Sequence, residues 1–382
     1  MRLFVVMALA LLGCSKRETP LVLAVDPVSE ADAKAYAEKL VTLVRPCDDK
    51  KLAPFIDQDA MAAKFATTSK LPNVQHSAHQ LIGTSVGAKI LCGWMRGIDD
   101  YKLMRIKPVG SELHPIMRRL IKDPRSGITV IGYDELQLGT TRKDHQVRLY
   151  DAFSYVQGQW LTQVLGGNMA ALENSLDTIG DIPEMADQVR KARDLLRASH
   201  FQEAVQTIDK LPPQIRNYRS VQLIRIRASA GLGKDSYRAA LAELERIAPN
   251  DPSIAMVEMD GAFAVGDYDA ALRWIDIIDK EVGGDAFQDA NRAFAYFKKG
   301  ELDKAAEHAE AAMQREPTLQ RVWEVKLDVA IMQKKWADAA AAMTALETKF
   351  GIKFDEAKLR SSPAMAEFVE TPEFKQWLAN RK

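Results

Sequence analysis

Five short stretches in the second half of the chain share one pattern: SHFQEA at 199–204, GKDSYRAA at 233–240, GDYDAA at 266–271, GELDKA at 300–305 and KKWADA at 334–339. Their first residues, Ser199, Gly233, Gly266, Gly300 and Lys334, follow one another at steps of 34, 33, 34 and 34. Each stretch reads as small or polar, polar, bulky apolar, two polar, then Ala. A period in this range marks stacked units, none of which buries its apolar face alone. Gly takes the positive φ that ends many helices. The bulky residue locks the turn, and the Ala lets two helices approach closely. Pro212, Pro252 and Pro317 separate one unit from the next. Two extra residues lie between Gly233 and Tyr237, and Ser199 and Lys334 replace Gly at the outer turns. Those departures fit atypical terminal units and leave their turn geometry open.

The pattern resembles the tetratricopeptide repeat, a 34-residue helix–turn–helix unit, over residues 184–350. The resemblance implies an aromatic or leucine at the turn (Phe201, Tyr268, Leu302, Trp336) and a small residue on the second helix (Ala204, Ala240, Ala271, Ala305, Ala339). It also implies an all-α superhelical solenoid whose concave surface takes a protein or peptide partner. First-helix residues line that groove in the family. Arg225, Arg227, Glu258, Asn291, Arg292, Glu324 and Lys326 are the candidates here. They are mixed in charge, so neither a simple acidic nor a simple basic ligand follows. Taken singly, each is an ordinary solvated side chain. Residues 351–382 follow the last pair, and Met365, Phe368, Phe374, Trp377 and Leu378 need cover. They read as one or two capping helices, with a partner-docking helix as the alternative.

Residues 28–168 follow a different pattern. Ser29, with Asp32 three positions on, is a near capping box, and Tyr36, Leu40, Val41 and Val44 recur at helical spacing until Pro46. A second short helix is expected near Lys51–Phe65. A third is expected over Ser77–Trp94, where Gly83 and Gly87 weaken the pattern. Then YKLMRIKPV, HPIMRRLIK, GITVIGYDELQL, QVRLYDAFSYV and QWLTQVL read as strands separated by turn chemistry. In the fourth, alternation puts Val147, Leu149, Asp151, Phe153 and Tyr155 on one face. Helices followed by antiparallel strands predict an α+β fold with the helices on one sheet face.

That order and length resemble the cystatin-like or NTF2-like cone, which implies a pocket. Asp151, Tyr133, Tyr150, Asp134 and Glu135 are its candidate polar groups. No spacing singles out an acid–base pair among them, and the plain reading is a surface carboxylate and partly buried tyrosines. His76 and His79 sit three apart, but no third ligand accompanies them, so neither metal nor cofactor is expected.

The chain begins MRLFVVMALALLGCSKRE. Arg2 precedes an apolar run, Leu3–Leu12, of signal-peptide length and too short to span a bilayer. Leu11-Leu12-Gly13-Cys14 then resembles the lipobox of bacterial lipoproteins. The resemblance implies that residues 1–13 are removed and that Cys14 carries the lipid, with 14–27 as a tether. An ordinary secretory signal is the alternative. Ser15 rather than Asp follows the cysteine. In the enterobacterial sorting pattern that implies the outer membrane. One acyl chain holds only marginally, at about 0.8 kcal/mol per buried methylene, whereas several hold stably. Export would place Cys47 and Cys92 in an oxidising compartment, where a disulfide or two buried thiols are the choices.

The 382 residues suggest two or three domains, and 47% apolar content is ordinary for a globular protein. Lys+Arg and Asp+Glu both number 52, which argues against a general nucleic-acid binder. No catalytic motif is present. Three functions follow: a non-enzymatic envelope lipoprotein that recruits a protein or peptide, a small-molecule binder or enzyme sited in the first domain, and a permanent structural component of an envelope complex.

Overall fold

The computed structural model describes residues 25–44, 47–69, 78, 86–122, 129–164, 182–248 and 251–381. Cys14, His76 and His79 lie outside them. Contacts divide the chain into two units, Met1–Ile254 and Ala255–Lys382.

In the first unit, helix α1 (Glu30–Val44) starts as its sequence directs. The Ser29 hydroxyl accepts from the Asp32 backbone N–H (3.2 Å) and donates to the Asp32 carboxylate (2.6 Å). The helix expected near 51–65 is broken in two. Pro54 sits in a tight 3₁₀ turn, Ala53–Phe55, between α2 (Asp49–Leu52) and α3 (Gln58–Ser69). Asp57 caps α3 through the Ala60 N–H at 2.9 Å. Helix α4 (Val86–Trp94) follows. Cys47, just beyond α1, and Cys92, on α4, are bonded, with Cα atoms 5.4 Å apart.

Strands β1 (Val25–Asp26), β2 (Asp100–Val109), β3 (Glu112–Lys122), β4 (Thr129–Thr141), β5 (Val147–Ser154) and β6 (Gln159–Trp160) form one antiparallel sheet. Its order is β2-β3-β4-β5-β6, with β1 added to the end of β4 at Thr140 and Thr141. Gly139 lets β1 in, because a Cβ there would fall 2.4 Å from the Val25 side chain. Helices α1 and α3 pack on the sheet. The core joins Tyr36, Leu40, Met61, Phe65 and Leu91 to Met117, Leu136, Leu138 and Leu149.

Two strand expectations need correction. The register between β4 and β5 shifts at Gln137/Leu138, leaving Tyr150 as an extra residue. That bulge puts Leu149 and Ala152 into the core and Asp151 on the other face, so Leu149 and Asp151 do not share a side. In QWLTQVL only Gln159 and Trp160 are strand, and 161–164 turn into a helix.

Helices α5 (Ile182–Arg197), α6 (Phe201–Asp209), α7 (Pro213–Arg216), α8 (Arg219–Leu232) and α9 (Lys234–Ile247) complete the first unit. Ala192, Ile208, Leu211, Val221 and Ile224 make a second core there. The second unit holds α10 (Ala255–Val265), α11 (Tyr268–Val282), α12 (Ala286–Lys299), α13 (Leu302–Arg315), α14 (Gln320–Met332) and α15 (Trp336–Phe350). It ends with α16 (Glu356–Ser361) and α17 (Pro372–Asn380). These last two and their 3₁₀ turns bring Phe368, Phe374 and Trp377 against Leu327, Ile331, Met343 and Leu346, which covers the last pair.

The first residue of every repeated stretch has positive φ: Ser199 61°, Gly233 111°, Gly266 78°, Gly300 79° and Lys334 56°. At four of them the next N–H reaches back five residues, from His200 to Leu195, Asp267 to Ala262, Glu301 to Tyr296 and Lys335 to Ala330, at 2.8 to 3.0 Å. This is the Schellman closure of a helix end. The outer turns at Ser199 and Lys334 are therefore regular despite lacking Gly. The irregular turn is Gly233, with ψ 174°, where the two extra residues extend the start of α9 ahead of Tyr237. Ala204, Ala240, Ala271, Ala305 and Ala339 are all fully buried, so each pair closes on a methyl group.

Candidate functional site

The polar candidates of the sheet are not gathered into one pocket. Alternation along β4 sends Asp134 and Glu135 to opposite faces. Asp134 lies on the helix side, fully buried, and accepts from Trp94 Nε1 (3.3 Å) and Tyr101 OH (3.4 Å), with Arg119 Nη1 at 3.3 Å. Burial pushes its carboxyl up, against the pull of Arg119 and the two donors.

Glu135 belongs to a cluster on the opposite face. Its Oε1 lies 2.6 Å from His114 Nδ1, and its Oε2 accepts from Lys107 (3.1 Å) and Tyr155 (2.9 Å). His114 Nε2 faces Glu112 at 2.8 Å, and Tyr150 donates to Glu112 at 3.1 Å. Burial raises the Glu135 carboxyl, but the His114 hydrogen bond and the Lys107 charge outweigh it and hold it at about 2. Burial also drives the Tyr150 hydroxyl upward.

Asp151 serves a third purpose. Its Oδ1 accepts from the backbone N–H groups of Ala152 (2.9 Å) and Thr162 (3.1 Å), and its Oδ2 accepts the Thr162 hydroxyl (2.6 Å). It fastens the turn after β6, and burial lifts its carboxyl to about 6 against those hydrogen bonds. Asp151 and Tyr133 are fully buried and Tyr150 is 1% exposed. Reading residues singly missed Glu112 and His114. Their alternation on β3 carried a signal, but only the β3–β4 register sets them against Glu135.

Among the described residues no group of three His, Cys, Asp or Glu is placed to hold a metal ion, and no helix is long and apolar enough to cross a membrane.

In the helix pairs, three groove candidates share one kind of partner. Arg225 pairs with Asp209 (2.9 Å), Arg292 with Asp276 (2.7 Å) and Lys326 with Glu310 (3.7 Å). Each acid lies 16 residues earlier, on the second helix of the preceding pair. Arg292 also reaches Asp279 and Asp289. Arg227 is exposed, and Glu258 and Asn291 are buried. The Asn291 amide donates to Gln288 (3.2 Å). Glu324 accepts from Gln320 (2.7 Å) and lies 3.4 Å from Arg321.

Beside Glu324 lies a face that the sequence reading did not pick out. Phe263 on α10 and Phe294 on α12 have ring centroids 5.8 Å apart, and Phe297 lies 6.3 Å from Phe294. Lys298 Nζ sits over both Phe294 (5.2 Å) and Phe297 (5.3 Å), and the Arg321 guanidinium sits 4.9 Å over Phe294. Asp328 on α14 is pushed up by burial, against the charges of Arg321 and Lys298. The available signal was the repeat itself, since Phe263 and Phe297 are one 34-residue step apart.

No family model and no curated protein matches the chain. Among solved structures it is similar to the crystal structure of PilW, a widely conserved type IV pilus biogenesis factor. Identity is 12% and the TM-score 0.38, over 51% of this chain and 98% of that one. A likeness that distant carries no function.

Proposed function

We propose that this chain is a lipid-anchored envelope protein that holds a protein or peptide partner on its helix pairs, as a scaffold and not as an enzyme. The observation that carries the reading is the repeated construction of the pairs. Within each unit, turns with positive φ, each followed by a fully buried alanine, pair one helix closely with the next. In the second unit, α10, α12 and α14 together present Phe263, Phe294 and Phe297 with Lys298 and Arg321 laid across the rings. Partly exposed aromatics bracketed by cations are what recurs at the centre of protein interfaces. The proposed partner is an extended segment that covers the rings.

The lipobox-like Leu11-Leu12-Gly13-Cys14 supports the anchor and the envelope address, with the outer membrane as the proposed site. Helices laid on one face of an antiparallel meander support the cone-like likeness for the first domain.

The test is capture from envelope extract by the full mature chain, with and without Phe294→Ala and Phe297→Ala together. The expected result is one saturable partner, bound at least tenfold more weakly by the double variant. Absence of any saturable partner counts against the scaffold. A partner indifferent to both substitutions moves the site elsewhere.

A further inference from the structure

Building on the lipid-anchor reading, we infer that the sheet acts as an oriented spacer: the end carrying the β2–β3 and β4–β5 hairpins lies against the membrane surface, and the first helix pairs are held at the other end.

The strand register defines the two ends. Strand β1 joins β4 at Thr140 and Thr141, the last residues before the β4–β5 hairpin. Strand β3 pairs from Ile116↔Glu135 to Lys122↔Thr129, so its first residue, Glu112, points toward that same end of β4. The β2–β3 turn at Gly110 and the β4–β5 turn at 142–146 therefore sit together, next to the point where the chain enters the fold. At the other end, the β5–β6 hairpin meets the helical part of the same unit. A Cβ on Gly158, whose φ is 61°, would fall 2.6 Å from the Ser253 carbonyl oxygen and 3.2 Å from Arg219 Nη1. Arg219, at the start of α8, holds that loop through Asp251 (2.8 Å) and Ser253 (3.2 Å). One end of the sheet thus takes the tether and the other takes the helices.

The tether is no longer than the sheet. Residues 15–24, ten in all, separate Cys14 from Val25. Fully extended, the eleven steps from Cys14 to Val25 reach at most about 40 Å. The 13 residues of β4 alone run about 40 Å. The hairpin end also presents an unpaired cation to a lipid surface. Lys143 is exposed and has no ion pair among the described residues, whereas Arg142 beside it pairs with Asp26 at 3.1 Å and Asp144 pairs with Arg148. An unpaired lysine suits the headgroup region of an anionic bilayer.

The experiment uses the full lipidated chain in vesicles of phosphatidylethanolamine and phosphatidylglycerol that carry a headgroup energy acceptor. A fluorophore is placed at Lys143→Cys or at Val130→Cys, near the opposite end of β4 and 52% exposed in the native chain. The expected result is transfer from position 143 at least threefold stronger than from 130. Equal or reversed transfer overturns the orientation. The anchor is read separately by flotation: if the unlabelled chain fails to float with vesicles, or if Cys14→Ser floats equally well, the lipid reading and the orientation that rests on it both fail.

Discussion

The sheet region and the helix pairs solve the same problem in different ways. The sheet is held by contacts between residues far apart in sequence. Cys47 and Cys92 are 45 residues apart, and Lys64 on α3 donates to Gln137 on β4 (2.7 Å). It buries carboxylates, each with its own set of donors. The helix pairs are held by near neighbours, with small residues buried at a fixed step and charges paired at the rim. Arg292–Asp276 and Lys326–Glu310 are such pairs, each with an exposed acid. Pairs of that kind contribute roughly 0–1 kcal/mol, so the methyl packing and the end cap carry the pairs. A structure built from local contacts is more readily written as a period, whereas one built from distant contacts is not.

The comparison can be broken most severely at the cap. Phe374 is fully buried among Phe368, Trp377 and Leu346. Phe374→Ala should cost about 3–5 kcal/mol. Hydrogen exchange should show protection falling in α14, α15 and α17 while the β3–β4 pairing keeps its own. Equal loss in both places would mean that the two regions unfold as one.

The corresponding change in the sheet region is Cys47→Ser with Cys92→Ser. Opening a loop of this length should cost roughly 4 kcal/mol. Thermal unfolding with and without reductant should lower the sheet transition in the native protein and leave the double variant insensitive to reductant.

A smaller effect separates the regions by pH. The Asp151 carboxyl is raised in the fold to about 6 from 3.8. A raised carboxyl favours the protonated fold, so that stability is fully present below pH 4 and lost as pH rises through 6. The rise from 3.8 to about 6 corresponds to about 3 kcal/mol. Asp151→Asn keeps the Oδ1 acceptor for Ala152 and Thr162 and places an amide donor against the Thr162 hydroxyl. Denaturant unfolding of the variant from pH 4 to 7.5 should lack that decline. Glu135, lowered from 4.5 to about 2, has the opposite sign: its contribution is present above 4.5 and lost as pH falls through 2.

The smallest effects belong to the turns. Gly300 has φ 79° and open space around a built Cβ, so Gly300→Ala pays only for the backbone, about 1 kcal/mol. Ser199→Gly, at φ 61°, should move stability the other way by a similar or smaller amount. Paired melting curves check both, and a loss in each case would show that Ser199 earns its place through contacts other than its backbone.

The sequence by itself determined the helix pairs. The Gly-or-polar, bulky and Ala residues at 34-residue steps became turns with positive φ and buried methyl groups. Even the cap was visible in Phe368, Phe374 and Trp377. It also determined the start of α1 at Ser29 and the existence of the longer strands, because capping and alternation act within a few residues. Tertiary structure alone decided which face each polar group took. One extra residue at Tyr150 separated Leu149 from Asp151, and the β3–β4 register set His114 between Glu112 and Glu135. Likewise, the face formed by Phe263, Phe294 and Phe297 exists only once two helices lie side by side. The physical reason is range: a turn is fixed by the residues inside it, while a pairing register is fixed by everything that packs against the sheet.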